Sequence, residues 1–453
     1  MISKQKSSPQ TNFFFYLEDT LNKNHPLFIL SNRIDWQLFE DAFAPLYCTN
    51  NGRPAKPIRL MVGLLILKHL RNVSDESVVE QWTENLYYQY FCGLQQFSTD
   101  SPCASSDLTH FRKRIGEAGI ELIFKESIRI NGKDSDDSDV SVDTTVQEKN
   151  ITFPTDSKLH KKIIKKCLDI SKKESITLRQ TYTRTLKKLS VDQRFRNHPK
   201  NKGKARKADR KVKTIAGRLV RELQRHLGES SIYQRFFDLF ARLLAQKRNS
   251  KSKVYSLHEP DVVCISKGKE HKKFEFANKV SVVITRKTGV LLGALGFRNE
   301  FDGHTLQPAL EQVEKLTGKA PKTAAVDRGY RGNIKIGETS ILIPKPFNDK
   351  KQTQYEQKKL RKAHKQRAAI EPIIGHLKTD HRLGRNFYKG IVGDNINILL
   401  AAAAFNFKRM MNKWKLSISQ FLNIIIFQII LVENKFAKSY PTQNIEKLKI
   451  GGC

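Results

Sequence analysis

Between Lys158 and Arg225 the chain carries 24 Lys and Arg against 5 Asp and Glu, a net +19 out of +36 for the whole 453 residues. So dense a run of one sign cannot be buried between sheets, and its mutual repulsion must be met by solvent or by a polyanion. Apolar residues nevertheless recur through it at helical spacing, at Ile163, Ile164 and Leu168 and again at Ile215, Leu219 and Leu223. A solvated tail is the simplest reading of a basic run, but a tail has no use for an apolar stripe. The stretch therefore reads as a folded helical insertion at about residues 155–255, lying along phosphates, with Pro199 and Gly203 expected to break it into two parts.

The whole chain has the same bias, 81 Lys and Arg against 45 Asp and Glu, which makes nucleic acid the leading partner. Its length suggests two or three domains and its 39% hydrophobic content suffices for real cores. Met1 to Thr20 lacks the apolar core and cleavage site of a signal peptide, so a cytoplasmic, nucleoid-associated location with no membrane partner is expected. The most apolar run, Phe421 to Val432, is about half the length of a spanning helix and contains Asn423 and Gln428, so it reads as a packing segment. The six cysteines form no CxxC pair and the histidines no HExxH, which argues against a disulfide framework and a zinc site.

Three changes of character organise the chain. Up to about Asn131 it is helical: "KPIRLMVGLLILKHL" follows Pro57, "SDESVVEQWTENL" begins with Ser74 as N-cap, and "SSDLTHFRKRIGEAGIELIFKESI" starts at Ser105 or Ser106. A helix pair followed by a basic helix is the pattern of a helix-turn-helix reader, which would put Arg112 and Arg114 on DNA. A plain bundle with a basic face fits the same pattern. "NGKDSDDSD" is a linker, and "DVSVDTTV" is a half-buried strand with Asp143 at or near its end. After the insertion come strands in "DVVCIS", "FEFANKVSVVIT" and "VLLGALGF", the last two joined by "RKTG". A helix over "DGHTLQPALEQVEKLTG" follows, stopped by Gly318, then strands in "KTAAVD" and "SILIP". The expected class is α/β, a mixed sheet with an N-terminal all-helical domain and a basic helical insertion in the core. The expected boundaries are 1–131, 132–415 and a C-terminal tail at 416–453.

Asp143 and Asp327 each end an apolar strand, and Glu371 opens a helix farther on. Three carboxylates could meet at one sheet edge, a donor set suited to Mg²⁺. Capping or solvation is the local alternative for each aspartate, and a solvated charge for the glutamate. Pro372 calls for a kink or a fresh helix start next to Glu371.

"VDTTV" around Asp143, "VDRGYRG" around Asp327, and His364, Arg367, Glu371 and Lys378 in the spacing H-x2-R-x3-E-x6-K resemble the three motifs of the DDE transposases of bacterial insertion sequences, in the group that includes insertion sequence five. "GRPAKPIRLMVGLLILKHL" is similar to that group's helical leader, and with "HEPDVVCISKGKEHKKFEFANKV" the resemblance covers most of the chain. The family's signature usually has tyrosine where His364 stands.

The resemblance implies a ribonuclease-H-like catalytic core in which Asp143, Asp327 and Glu371 bind two Mg²⁺ ions, with Mn²⁺ able to substitute. It implies cleavage at the ends of the element and joining of the 3′ hydroxyls to target DNA. The expected partners are double-stranded DNA, as terminal inverted repeats and target, and a second copy of the chain. Arg367 and Lys378 would contact phosphates, with a structural salt bridge as the alternative, Arg328 and Tyr330 would either support the metal-binding carboxylates from behind or contact the DNA, and His364 would stand at or near it. A nuclease that cuts without joining, a non-catalytic DNA-binding relic and an RNA-binding protein are the alternatives.

Overall fold

The computed structural model describes residues 16–48, 54–228, 232–247, 249–266, 274–298, 300–330, 332, 334–344 and 353–439, with side chains described up to residue 416 except at 356 and 359. It separates into two compact units, one joining the chain up to Ser135 with the residues from Ala402 onward, the other running from Asp136 to Ala401.

The first unit is helical: α1 (Leu17–Thr20), α2 (Pro26–Arg33), α3 (Trp36–Phe43), α4 (Ile58–Leu70), α5 (Asp75–Glu84), α6 (Leu86–Phe91) and α7 (Ser105–Asn131). Helix α4 is buried on every side, from Ile58 through Leu70 with the exception of Arg59, so it is the central rod of the bundle and not an amphipathic surface helix. Helices α3, α5 and α7 pack on it. Ser74 caps α5 as the sequence indicates, its hydroxyl accepting from the Ser77 N–H at 3.1 Å. Helix α7 is interrupted at Gly116, whose φ of 62° and ψ of −165° are open to glycine and costly for other residues.

The second unit opens with β1 (Asp139–Lys149), leaves the sheet for α8 (Asp156–Lys173), α9 (Thr183–Asp192), α10 (Pro199–Leu227) and α11 (Gln234–Ala245), and returns with β2 (Val263–Ile265), β3 (Glu275–Thr285) and β4 (Leu291–Phe297). Then follow α12 (Asp302–Thr317), β5 (Thr323–Ala325), β6 (Lys335–Ile336), β7 (Thr339–Leu342), α13 (Gln354–Arg367), α14 (Ile370–Asp380), β8 (Arg385–Asn386) and α15 (Gly390–Ser439). Strands run in the order β2-β3-β1-β5-β7-β6, with β4 also on β3 and β8 also on β1. The β1, β3 and β4 neighbours are antiparallel, and β5 joins β1, and β7 joins β5, in parallel. Gly293 and Gly296 lie on opposite faces of β4, because side-chain direction alternates along a strand. A Cβ on the first would press on Val313 of α12 and on the second on Ile398 of α15, so each helix covers one face of the sheet.

Helices α8 to α11 enclose a core of their own. Ile163, Ile164, Val212, Ile215, Leu219, Leu223, Phe237 and Phe240 are among the side chains that pack together there without any from the sheet. Pro199 begins α10 at its first turn, where its ring is tolerated. Gly203 does not break the helix, contrary to the sequence reading. It is exposed, and its cost of about 1 kcal/mol is outweighed by the burial of Ala205, Ala208 and Val212 on the following turns.

One other expectation is corrected. Asp143 lies within β1 and not at its end, because the strand continues to Lys149, held by β3 along its length and by β8 at Glu148 and Lys149. Helix α15 runs through residue 416, the expected start of the C-terminal tail, to Ser439. Side chains of the Phe421–Val432 run lie outside the described residues. Among the described residues one helix, Gly390–Leu416, is long and apolar enough to cross a bilayer, and 72% of its apolar window is buried in the protein.

Candidate active site

The pairing of β1 creates the site. On the side away from β3, β5 accompanies it only from Asp139 to Ser141 and β8 only at Glu148 and Lys149. Between these contacts, among the described residues, the edge of β1 has no strand partner, and Asp143 stands in that gap. Its Oδ1 accepts from the Thr144 N–H at 2.7 Å and its Oδ2 from Arg367 Nη1 at 3.0 Å, with the side chain 18% exposed. Burial raises the Asp143 pKa above the usual carboxylate value. The Thr144 N–H and the Arg367 charge pull it back, and the nearby Asp327 charge adds to the rise.

Asp327 follows β5 by two residues and starts a tight turn through Arg328–Tyr330, where its Oδ1 accepts from the Gly329 N–H at 2.9 Å. Asp302, the first residue of α12, reaches the same place. Its Oδ1 accepts from Thr144 Oγ1 at 2.8 Å and pairs with Lys279 Nζ at 3.0 Å. Tyr330 is fully buried, and its hydroxyl makes no hydrogen bond of ordinary geometry. Burial first, then the charges of Asp302, Asp143 and Asp327, hold its pKa far above that of an ordinary phenol, with Thr305 pulling the other way.

Helix α13 ends at Arg367 and α14 begins at Ile370, so the break falls just before Pro372, as the proline requires. His364 and Arg367 therefore share no continuous helix with Glu371 and Lys378. Both helices pack against β1. Glu371 is exposed in the first turn of α14, where the helix dipole favours a negative charge. Lys378 is half-buried one turn from the end of the same helix, and Arg328 is exposed beside Asp327. Among the described residues no three His, Cys, Asp or Glu side chains stand close enough to form a ready-made metal cluster. The charges of Asp143, Asp302 and Asp327 all act on Tyr330, while Glu371 sits on a helix that packs against β1.

Two expected DNA contacts are corrected by burial. Tyr330 is 0% exposed and turned into the carboxylates, so it presents nothing to DNA. Arg112 is 5% exposed and clasps Asp75 with both terminal nitrogens at 2.8 Å, a structural pair within the bundle. His364 keeps both ring nitrogens buried without hydrogen bonds of ordinary geometry, and burial, with the charges of Arg367 and Arg286, lowers its pKa. The residue as a whole is half-buried. Arg114 stays exposed, stacked 4.3 Å over the Tyr47 ring. Asp302, Lys279 and Thr144 drew no notice as site residues in the sequence, where Asp302 signals only a helix start.

Two family models match the chain, "Transposase domain (DUF772)" over residues 15–114 and "Transposase DDE domain" over residues 331–411. A relative from Rhizobium meliloti described as "Uncharacterized protein ORF8 in nfe locus" is 40% identical over 201 residues, 43% of this chain and 97% of the relative. The chain belongs to the DDE transposases. No solved structure matches it. In this transposase the first matched region holds the buried Asp75–Arg112 pair, and the second holds Arg367, Glu371 and Lys378. A DDE transposase acts on DNA, which accounts for the charge of the chain.

Proposed function

We propose that this transposase cuts DNA at the ends of its own mobile element and joins the resulting 3′ hydroxyls to target DNA, with Asp143, Asp327 and Glu371 as the catalytic carboxylates. The observation that carries this reading is the convergence of Asp143 and Asp327 at the unpaired edge of β1, close enough for one charge to raise the other's pKa. The sheet order supports a ribonuclease-H-like core, since three antiparallel neighbours β4, β3 and β1 are followed by β5 and β7 parallel to β1.

Carboxylate oxygens are the hard donors that Mg²⁺ selects, and a cation near like-charged aspartates offsets their repulsion. In the described structure Arg367 supplies part of that compensation. The residues fit a divalent ion, and Asp143, Asp327 and Glu371 would hold two Mg²⁺. Such ions, when bound, favour attack by water or a sugar hydroxyl on a phosphodiester and stabilise the departing oxygen. The protein's share is positional. The β1–β3 ladder fixes Asp143, the turn through Gly329 fixes Asp327, and Arg367 is free to exchange its carboxylate for a phosphate when DNA enters. The helical unit would read the terminal inverted repeats, and a homodimer would bring two ends together.

The insertion supplies phosphate contacts on this reading. Lys207, Arg210, Lys211 and Arg218 line an open concavity of about 660 Å³ beside Tyr182. Neutralising all four should weaken DNA binding and reduce the slope of log affinity against log salt by about 0.9 for each phosphate that the variant leaves without its cation. A titration of element-end DNA at several salt concentrations measures this, and an unchanged slope would assign the concavity no phosphate.

The function itself is tested with a labelled DNA carrying the element's end. Cleavage is expected with Mg²⁺ and not with a chelator, with binding retained in both. Binding without cleavage in any divalent ion would mean that the chain only recognises DNA.

A further inference from the structure

Asp302 makes a pair with Asp327 that the DDE motif does not include. A Cβ on Gly329 would stand 3.0 Å from Asp327 Oδ1 and 3.2 Å from Asp302 Oδ2, tighter than ordinary contacts, so both carboxylates approach the turn on the side where the glycine carries no side chain. Gly329 is not among the residues with positive φ. Its lack of a side chain therefore serves close approach of the carboxylates and not backbone conformation.

Beneath them lies Tyr330, 0% exposed, with a hydroxyl that lacks an ordinary hydrogen bond and feels the charges of Asp302, Asp143 and Asp327. A buried polar group left so is costly, and a hydroxyl beside a filled coordination shell can donate to a carboxylate or to a coordinated water. Lys279 presently answers the charge of Asp302, at 3.0 Å, while also donating to the Glu300 carbonyl at 2.6 Å. Thr144, next to Asp143 on β1, holds the same Asp302 oxygen at 2.8 Å.

We propose that Asp302 is a fourth metal-holding carboxylate, sharing a divalent cation with Asp327, and that Lys279 is the competing cation that occupies Asp302 when no metal is there. The proposal rests on the reading of Asp143 and Asp327 as metal ligands and extends the site to the first turn of α12. Lys279 reaches Asp302 from β3 along its aliphatic stem, so it can release the carboxylate without unfolding either element.

The test uses the full chain, without DNA, and Mn²⁺ as the probe, with bound ion counted by electron paramagnetic resonance. Asp302→Asn should raise the Mn²⁺ dissociation constant at least tenfold, as Asp143→Asn should. Lys279→Met should lower it several-fold, because the ion no longer competes with an ammonium group. This opposite sign guards against a misfolded Asp302→Asn chain, since damage to the fold cannot tighten binding. If Asp143→Asn abolishes Mn²⁺ binding while Asp302→Asn and Lys279→Met leave it unchanged, Asp302 is a helix-start residue held by a salt bridge and the proposal falls alone. If the native chain binds no Mn²⁺, the proposal and the reading beneath it fall together.

Discussion

Asp143→Asn and Asp327→Asn are each expected to lower cleavage of element-end DNA by about 10³-fold, the scale on which single preorganised electrostatic groups act in other enzymes. Each substitution keeps the side-chain volume and removes the charge, so the β1–β3 ladder and the Gly329 turn should survive. DNA affinity should change little or rise, because phosphate contacts come from cations and two repelling charges become one. The check is a cleavage assay at DNA concentrations that saturate native and variant chains alike. Loss of binding in parallel with cleavage would instead mark the aspartates as structural.

The second large effect belongs to the helical unit. Asp75 accepts from Lys68 Nζ at 2.9 Å and from Arg112 Nη1 and Nη2 at 2.8 Å, and the lysine and arginine side chains are only 4% and 6% exposed. Burial alone would raise the Asp75 pKa. The Arg112 hydrogen bonds and the Lys68 charge overcome it and hold the group below the ordinary carboxylate value. Asp75→Ala removes the carboxylate that joins two buried cations, which costs roughly 3–5 kcal/mol in comparable buried pairs. All three tryptophans, Trp36, Trp82 and Trp414, lie in the residues of this unit, so their fluorescence in urea reports its unfolding. The midpoint should fall by roughly 1 M or more. The same pair gives a pH signature. A depressed folded pKa contributes stability above about pH 3.9, the unfolded value, and that stability is lost as pH falls through the lowered folded value. Asp75→Ala should lack this acid-sensitive part of the curve.

Much of the architecture was legible because its signals are local. Ser74 caps α5 through the Ser77 N–H three residues away, Gly318 ends α12 with a φ of 74°, and the β3–β4 connection turns at Gly289 with a φ of 71°. Pro372 announced the fresh helix that puts Glu371 in a first turn. What escaped depends on distant partners. The extension of β1 past Asp143 is held by β3, more than a hundred residues later, and at its end by β8, a two-residue strand that carries no pattern of its own. Arg112 looked like a DNA contact because a basic helix face was visible in the sequence and its carboxylate, on another helix, was not. Asp302 escaped for the same reason. Its meaning comes from Thr144 on β1, Lys279 on β3 and Gly329 after β5, which only the folded sheet assembles.

The gap in β1 also explains how a carboxylate site can be both fixed and open. Strand pairing holds Asp143 on the β3 side, while among the described residues no strand pairs it on the other, where on the proposed reading a phosphodiester would approach. Arg367 pairs with Asp143 there at 3.0 Å, and on the same reading its guanidinium would trade the carboxylate for a phosphate.

The most direct test of the central claim supplies the chain with a pre-cut element end bearing a free 3′ hydroxyl, a target plasmid and Mg²⁺, and measures covalent joining for the native chain and for Glu371→Gln at matched DNA binding. Joined product from the native chain and its loss in Glu371→Gln are the expected result, and would place the exposed glutamate of α14 in the catalytic set with Asp143 and Asp327. Full joining by Glu371→Gln, or native binding with no joined product, would contradict it.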